Sequence, residues 1–266
     1  MQSPSPFDTL AATYDADFSA STIGRMQRNR VWSFLTPLVD KENRSLKILE
    51  INCGTGDDAI QLTAMGHTVI GTDASSTMID KAKEKISGSS AEFITCPFDQ
   101  LATKFANEQF DLIFSNFGGL NCIDKKAVTQ LGRSLSSLLV PGGTLFLVLL
   151  SRCCIWEIMH YGIRGKFKTA FRRSKRSVDF TVNDTTMPIH YYSPGGLKKI
   201  LRPLFKLQDK HPVGLFIPPS YLEKEFAHAP DRLNSLERRE KRWGHSFLSA
   251  FGDHYCAIFK NEATNT

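Results

Sequence analysis

Short apolar runs alternate with amphipathic stretches through most of this chain, and the alternation begins abruptly at residue 46. Leu46, Ile48, Leu49 and Ile51 form a nearly continuous apolar run that predicts a strand over 46–52, buried on both faces. Asp57 to Met65 follows as a helix, with Gly66 placed to close it. The same logic predicts strands over 67–72, 92–96, 110–115 and 144–150, and helices over 75–86 and 125–139. Beyond residue 193 it predicts a helix to 204, a strand over 205–212 and a final strand over 254–260. Helical stretches near 220–227 and 232–243 lie between those two strands. Upstream of the alternation, 7–14 and 23–38 read as helices, the second from the spacing of Met26, Val31, Trp32, Leu35 and Leu38. Strands and helices in turn imply an α/β fold with a doubly wound parallel sheet.

Three parts follow from where the pattern breaks. Residues 1–45 form an N-terminal helical cover; 46–151 and 193–266 form the core; 152–192 interrupts the alternation as an inserted lid within the same domain. The composition, 41% apolar and 23% charged, fits a soluble globular protein. The six cysteines make no Cys-x-x-Cys pair, so reduced thiols in a cytoplasmic protein are expected and a metal site is not. No basic start followed by an apolar block marks a secretory signal. The net charge of +6 is concentrated: from Arg152 to Arg176 eight basic residues face one acid, so this segment carries +7 and the rest of the chain −1.

The chemistry is announced where the first strand ends. Glu50-Ile-Asn52-Cys-Gly54-Thr-Gly56-Asp57-Asp58 places an acid at the strand tip, two glycines in the turn and two acids in the first helical turn. Glycines permit a tight turn close to a ligand, and the helix start offers free amides. The spacing fits a dinucleotide fingerprint, yet three carboxylates would repel a pyrophosphate in a partly dry crevice. S-adenosylmethionine, with an ammonium, a sulfonium and ribose hydroxyls, suits these charges better. Asp73, nineteen residues after Gly54, is placed to accept from ribose hydroxyls. A nicotinamide-dependent oxidoreductase is the alternative this spacing leaves open.

Glu50-x-x-x-Gly54-x-Gly56, Asp73-Ala74, Phe98-Asp99, Phe110-Asp111 through Ser115-Asn116, and Pro141-Gly142-Gly143 occur in order at compatible spacing. In this the chain resembles the class I S-adenosylmethionine-dependent methyltransferases, and within them the small-molecule group related to ubiquinone-biosynthesis methyltransferases. The resemblance implies a Rossmann-like, mostly parallel seven-stranded sheet whose last strand is antiparallel. It implies cofactor contacts from Tyr14, Arg28, Glu50, Asn52, Gly54, Gly56, Asp73, Ala74, Phe98, Asp99 and Ser115. Tyr14 would close over the cofactor and Arg28 would pair with its carboxylate. Many members have glycine where this chain has Asn52.

Methyl transfer from a sulfonium needs in-line positioning more than covalent help, and a general base only where the acceptor loses a proton. His190, Tyr191 and Asn116 are the catalytic candidates; His160 and His254 are weaker ones. The missing prolines after Asn116 weigh against amino-group methylation of nucleic-acid bases. The expected activity is methylation of a small-molecule or lipid-like acceptor at oxygen or carbon. An anionic membrane surface, met by residues 152–176, is a candidate partner. RNA methylation through the same basic insertion is the other alternative, although no RNA-recognition module accompanies it.

Overall fold

The computed structural model describes residues 15, 18, 20–86, 90–182 and 185–262. Its centre is a seven-stranded sheet in the order β3-β2-β1-β4-β5-β9-β8. The strands are β1 (Lys47–Ile51), β2 (Thr68–Asp73), β3 (Glu92–Thr95), β4 (Phe110–Ser115), β5 (Leu139–Leu150), β8 (Phe205–Val213) and β9 (His254–Asn261). β1 to β5 are parallel to one another; β9 runs antiparallel between β5 and β8. This is the Rossmann-like arrangement the sequence predicts.

Alternation along β5 shows how the sheet acquires two cores. Leu145, Leu147 and Leu149 point to one face, where Leu131 and Leu135 of α5 (Lys125–Leu138) and Leu197 and Leu201 of α8 (Pro194–Leu201) cover them. Phe146 and Val148 point to the other face. There α1 (Thr22–Asp40), α2 (Asp57–Ala64) and α3 (Ser76–Glu84) supply Val31 and Leu35, Leu62, and Ile79. The central strands are apolar on both sides because helices cover both sides.

Helix starts follow local signals. Ser21 Oγ accepts from Gly24 N at 3.0 Å, Ser75 Oγ from Met78 N at 3.1 Å and Asp124 Oδ1 from Ala127 N at 2.8 Å. Boundaries differ from expectation at β5, which begins at Leu139 rather than 144. A bulge against β4 and Gly142 at φ 70° absorb the Pro-Gly-Gly turn within the strand.

The segment 152–192 is built from several short elements. It folds as α6 (Ile155–Gly162), the short α7 (Phe167–Ala170) and a separate hairpin of β6 (Ser177–Val182) and β7 (Thr185–His190). Beyond β8 come the short α9 (Glu223–Phe226) and α10 (Pro230–Trp243). Among the described residues no helix is long and apolar enough to cross a membrane.

Candidate functional site

The strand order reverses between β1 and β4, so the loops leaving their carboxyl ends diverge and open a crevice. The antiparallel β9 brings its first residue to the same edge: His254 pairs with Leu150, the last residue of β5, and with Val213, the last of β8. Over this edge lies a cavity of about 770 Å³, walled on one side by the loops after β1 to β4 and on the other by the β6–β7 hairpin.

Asn52, Gly54, Asp73, Ala74, Phe98 and Asp99 all line the cavity. Asp73 is fixed by two backbone donors, Gly54 N to Oδ2 at 3.0 Å and Ser75 N to Oδ1 at 2.9 Å. Asp99 at the next strand end is exposed to the same space, with the Phe98 ring and Met78 beside it. Two carboxylates flanking apolar side chains suit the hydroxyls and flat ring of a nucleoside, not a phosphate chain.

Asn52 explains how this chain manages without the family glycine. Its φ is 53°, the left-handed conformation that asparagine tolerates better than other side chains. The side chain accepts from Ser115 Oγ at 2.5 Å and donates to the Asn116 carbonyl at 2.7 Å, tying the tip of β1 to the tip of β4. Gly119 makes room: a Cβ there would stand 2.3 Å from Asn52 Cγ.

Several expected cofactor contacts instead stand behind the loops. Glu50 is 1% exposed and Ser115 fully buried, and neither reaches the cavity. Gly56 (φ 82°) is needed for packing, since a Cβ there would meet the Phe93 ring at 2.5 Å. Arg28 is a correction: its guanidinium pairs with Asp58 at 3.1 Å and Asp57 at 3.6 Å, not with the cavity. Asp58 also accepts from Trp32 Nε1 at 2.7 Å and Asn116 Nδ2 at 2.9 Å, and Asp57 takes Lys85 at 2.8 Å. The acids of the first helical turn are thus neutralised by the protein, and the charge argument built on them loses its force. Burial, reinforced by Asp58, raises the Glu50 carboxyl well above the usual range, and its Oε2 has no hydrogen-bond partner. Tyr14 lies outside the described residues.

Two residues that the sequence did not single out close the cofactor side. Phe18 lines the cavity and meets Phe117 edge-on at 4.8 Å. Phe117 has φ 46°, a strained position for an aromatic residue, and is held between Phe18 and His254 at 5.4 Å. It lines the cavity between Phe18 and His254.

The far half is built from buried ion pairs. Glu157, 1% exposed, accepts from Arg172 Nε at 2.5 Å and Arg173 Nε at 2.8 Å. Arg173 also reaches Asp253 Oδ1 at 2.7 Å and sits over the Tyr191 ring at 5.6 Å. His254 lines the cavity with its Nδ1 3.3 Å from Asp253 Oδ2, an ion-pair distance without in-line hydrogen-bond geometry. Burial would raise the Asp253 carboxyl, but His254 and Arg173 outweigh it and hold it well below the usual range. Around this polar end the walls are apolar: Ile123, Leu150, Val178, Phe180, Met187 and Ile189. Cys122 enters as a neutral thiol, pushed up to about 12 by burial.

The catalytic candidates separate accordingly. Tyr191 reaches the cavity, and burial raises its phenol. Asn116 also lines it, but its amide is spent on Asp58 and on Phe117 N. His190 does not line the cavity; it pairs with Ser177 in the hairpin, and its carbonyl accepts from Asn121 at 2.6 Å. His254, a weaker candidate by sequence, is the imidazole that opens on the cavity. Nothing local in the sequence announces it, because its placement depends on β9 running antiparallel.

Comparison with known proteins agrees with this geometry. Residues 48–143 match a methyltransferase domain family. The chain is 29% identical to the tRNA 5-carboxymethoxyuridine methyltransferase of Escherichia coli over 60% of its length and 61% of the relative's. It is 30% identical to a ubiquinone biosynthesis O-methyltransferase of Brucella ovis over 44% of its length and 46% of the relative's. It thus spans less than two thirds of these relatives. The magnesium protoporphyrin IX methyltransferase of Synechocystis with bound SAH shares the fold at a TM-score of 0.57 and 16% identity, covering 90% of this chain and 84% of that one. The chain thus carries a match to a methyltransferase domain over residues 48–143 and is similar in fold to an S-adenosylmethionine-dependent methyltransferase solved with SAH.

Proposed function

We propose that the protein transfers a methyl group from S-adenosylmethionine to a small-molecule or lipid-like acceptor, at an oxygen or an enolic carbon that loses a proton. One observation carries the reading. A single cavity joins the Asp73–Asp99 loops to a mainly apolar chamber that ends in one imidazole backed by a buried carboxylate. The ribose hydroxyls would be held by Asp73 and the adenine edge by Asp99 and Phe98, leaving the sulfonium to supply an electrophilic methyl group. Asn52 ties the tips of β1 and β4 together, and the Phe117 ring adds an apolar wall beside Phe18.

On the acceptor side, His254 takes the proton as the oxygen or carbon attacks, and Asp253 stabilises the resulting imidazolium. Val178, Phe180, Met187 and Ile189 favour an apolar acceptor body. The names of the Brucella relative and the Escherichia coli relative point to a quinone precursor and to tRNA respectively. Burying Arg173 and pairing the half-exposed Arg172 with Glu157 takes two of the eight basic residues from the set an RNA would use, which favours the small acceptor.

The test is incubation with methyl-labelled cofactor and, separately, a lipid extract, a metabolite extract and total tRNA. Label in the lipid or metabolite fraction is expected. Label in tRNA alone would replace this acceptor reading with the RNA one.

A further inference from the structure

Ordinary amphipathic logic is inverted in the segment that joins β5 to β6. Its charged residues Glu157 and Arg173 are buried at 1% and 5% exposure, while its large apolar residues face solvent. Met159 is 60% exposed, Ile163 82%, Phe167 63% and Phe171 52%. Met159 and Ile163 stand one turn apart at the end of α6, and Phe167 and Phe171 one turn apart along α7. The turn at Gly165 (φ 69°) breaks the helix between them, and the two short helices pack together with both pairs exposed, a stripe made of two segments. Isolated exposed apolar residues are common, but a stripe of this kind marks an interaction site.

The stripe is held outward by firm packing behind it. Trp156 Nε1 donates to the Phe216 carbonyl at 3.0 Å and its ring meets Phe226 at 5.9 Å. Glu157 is clamped by Arg172 and Arg173. α6 therefore cannot roll its apolar face inward without breaking buried ion pairs.

Charge decides what the stripe meets. Lys166, Lys168, Lys175 and Arg176 are exposed around it, against two nearby acids: Glu225, which Arg164 offsets at 3.6 Å, and Asp179, so the collar is net basic. Apolar side chains set in a collar of lysine and arginine fit the interface of an anionic bilayer, where the rings and aliphatic chains enter the acyl boundary and the cations stay among the headgroups. A second copy of this chain would oppose like charge to like charge. Nucleic acid would leave Met159 and Ile163 without a stacking role.

We infer that the α6–α7 stripe docks the protein on anionic lipid, next to the chamber that receives the acceptor. Arg172, immediately after Phe171, and the half-exposed Phe180 both line the cavity, so the docking face and the acceptor entrance are continuous. This deepens the lipid-like acceptor reading and rests on it for its purpose; the docking itself does not require turnover.

Co-sedimentation of the full chain with vesicles tests it. The protein is expected to sediment with phosphatidylcholine vesicles containing phosphatidylglycerol, far less with phosphatidylcholine alone, and progressively less as salt rises. Ile163→Ser with Phe167→Ser, and separately Lys166, Lys168, Lys175 and Arg176→Gln, should each weaken partitioning at least about tenfold. Both variants should keep wild-type circular dichroism and S-adenosylhomocysteine affinity, since none of these residues lines the cavity. No sedimentation with anionic vesicles, or equal sedimentation of wild type and both variants, would overturn the inference. So would a dimer in light scattering that the Ile163/Phe167 variant abolishes, or binding to tRNA that vesicles do not displace. Failure to bind S-adenosylhomocysteine with vesicle binding intact would instead count against the proposed function.

Discussion

Both halves of the cavity are built around carboxylates, and they treat them in opposite ways. On the cofactor side Asp73 and Asp99 open on the cavity, and Asp73 is steadied by two backbone amides. On the acceptor side Glu157 is sealed in, Asp253 is 4% exposed at the cavity edge, and both are cancelled by Arg172, Arg173 and His254. Open carboxylates bind a ligand's hydroxyls; cancelled ones hold a wall and orient an imidazole. The difference also separates what costs stability from what costs binding.

The largest effect is expected where a sealed carboxylate is removed. Glu157→Ala leaves Arg173 buried without one of its partners and should destabilise the fold by about 3–5 kcal/mol in a urea titration. A loss under about 1 kcal/mol would mean that Arg173 lies in water and the acceptor wall is loose. Next is His254→Asn. It should lower the initial rate of labelled product by about 10²-fold or more while leaving S-adenosylhomocysteine affinity unchanged. An unchanged rate would return His254 to a packing role beside Phe117.

Titration sharpens the same contrast. The Asp253 carboxyl is depressed in the folded state, so its contribution to stability is full above the unfolded value of about 3.9 and is lost as pH falls toward the folded value. Burial raises the Glu50 carboxyl, so its contribution is full below the unfolded value of about 4.3 and is lost as pH rises through the folded value. At neutral pH Asp253→Asn should therefore lower the urea midpoint, whereas Glu50→Gln should hold or raise it. A fall in both would show that Glu50 is stabilised as an anion. The smallest effect belongs to Asn52→Gly. Glycine relieves the positive φ but loses the hydrogen bonds to Ser115 and Asn116, and a net loss of about 1 kcal/mol is expected in the same titration.

The two halves also differ in how far the sequence reveals them. Asp73, Asp99 and the Gly54 turn are legible because each follows its own strand, so local pattern alone brings them to one edge. Arg28 misleads because a lone arginine on a helix gives no sign of the carboxylates that the fold sets opposite it. The acceptor wall is illegible for the same reason carried further. Glu157, Arg173 and Asp253 meet only once α6 packs against the start of β9, across eighty residues between Arg173 and Asp253. The basic run of 152–176 reads as a uniform surface, yet Arg173 is internal, Arg172 is spent on the buried Glu157, and Met159, Ile163, Phe167 and Phe171 are external.

The proposed cofactor site has Asp73, at the tip of β2, accepting the ribose hydroxyls where it borders the cavity. Isothermal calorimetry of S-adenosylhomocysteine against wild type and Asp73→Asn, with NAD as the control ligand, tests this most directly. Saturable S-adenosylhomocysteine binding to wild type, weakened about tenfold or more in a variant that still melts cooperatively, is the predicted result. Equal affinity in the two proteins, or heat with NAD alone, would contradict it.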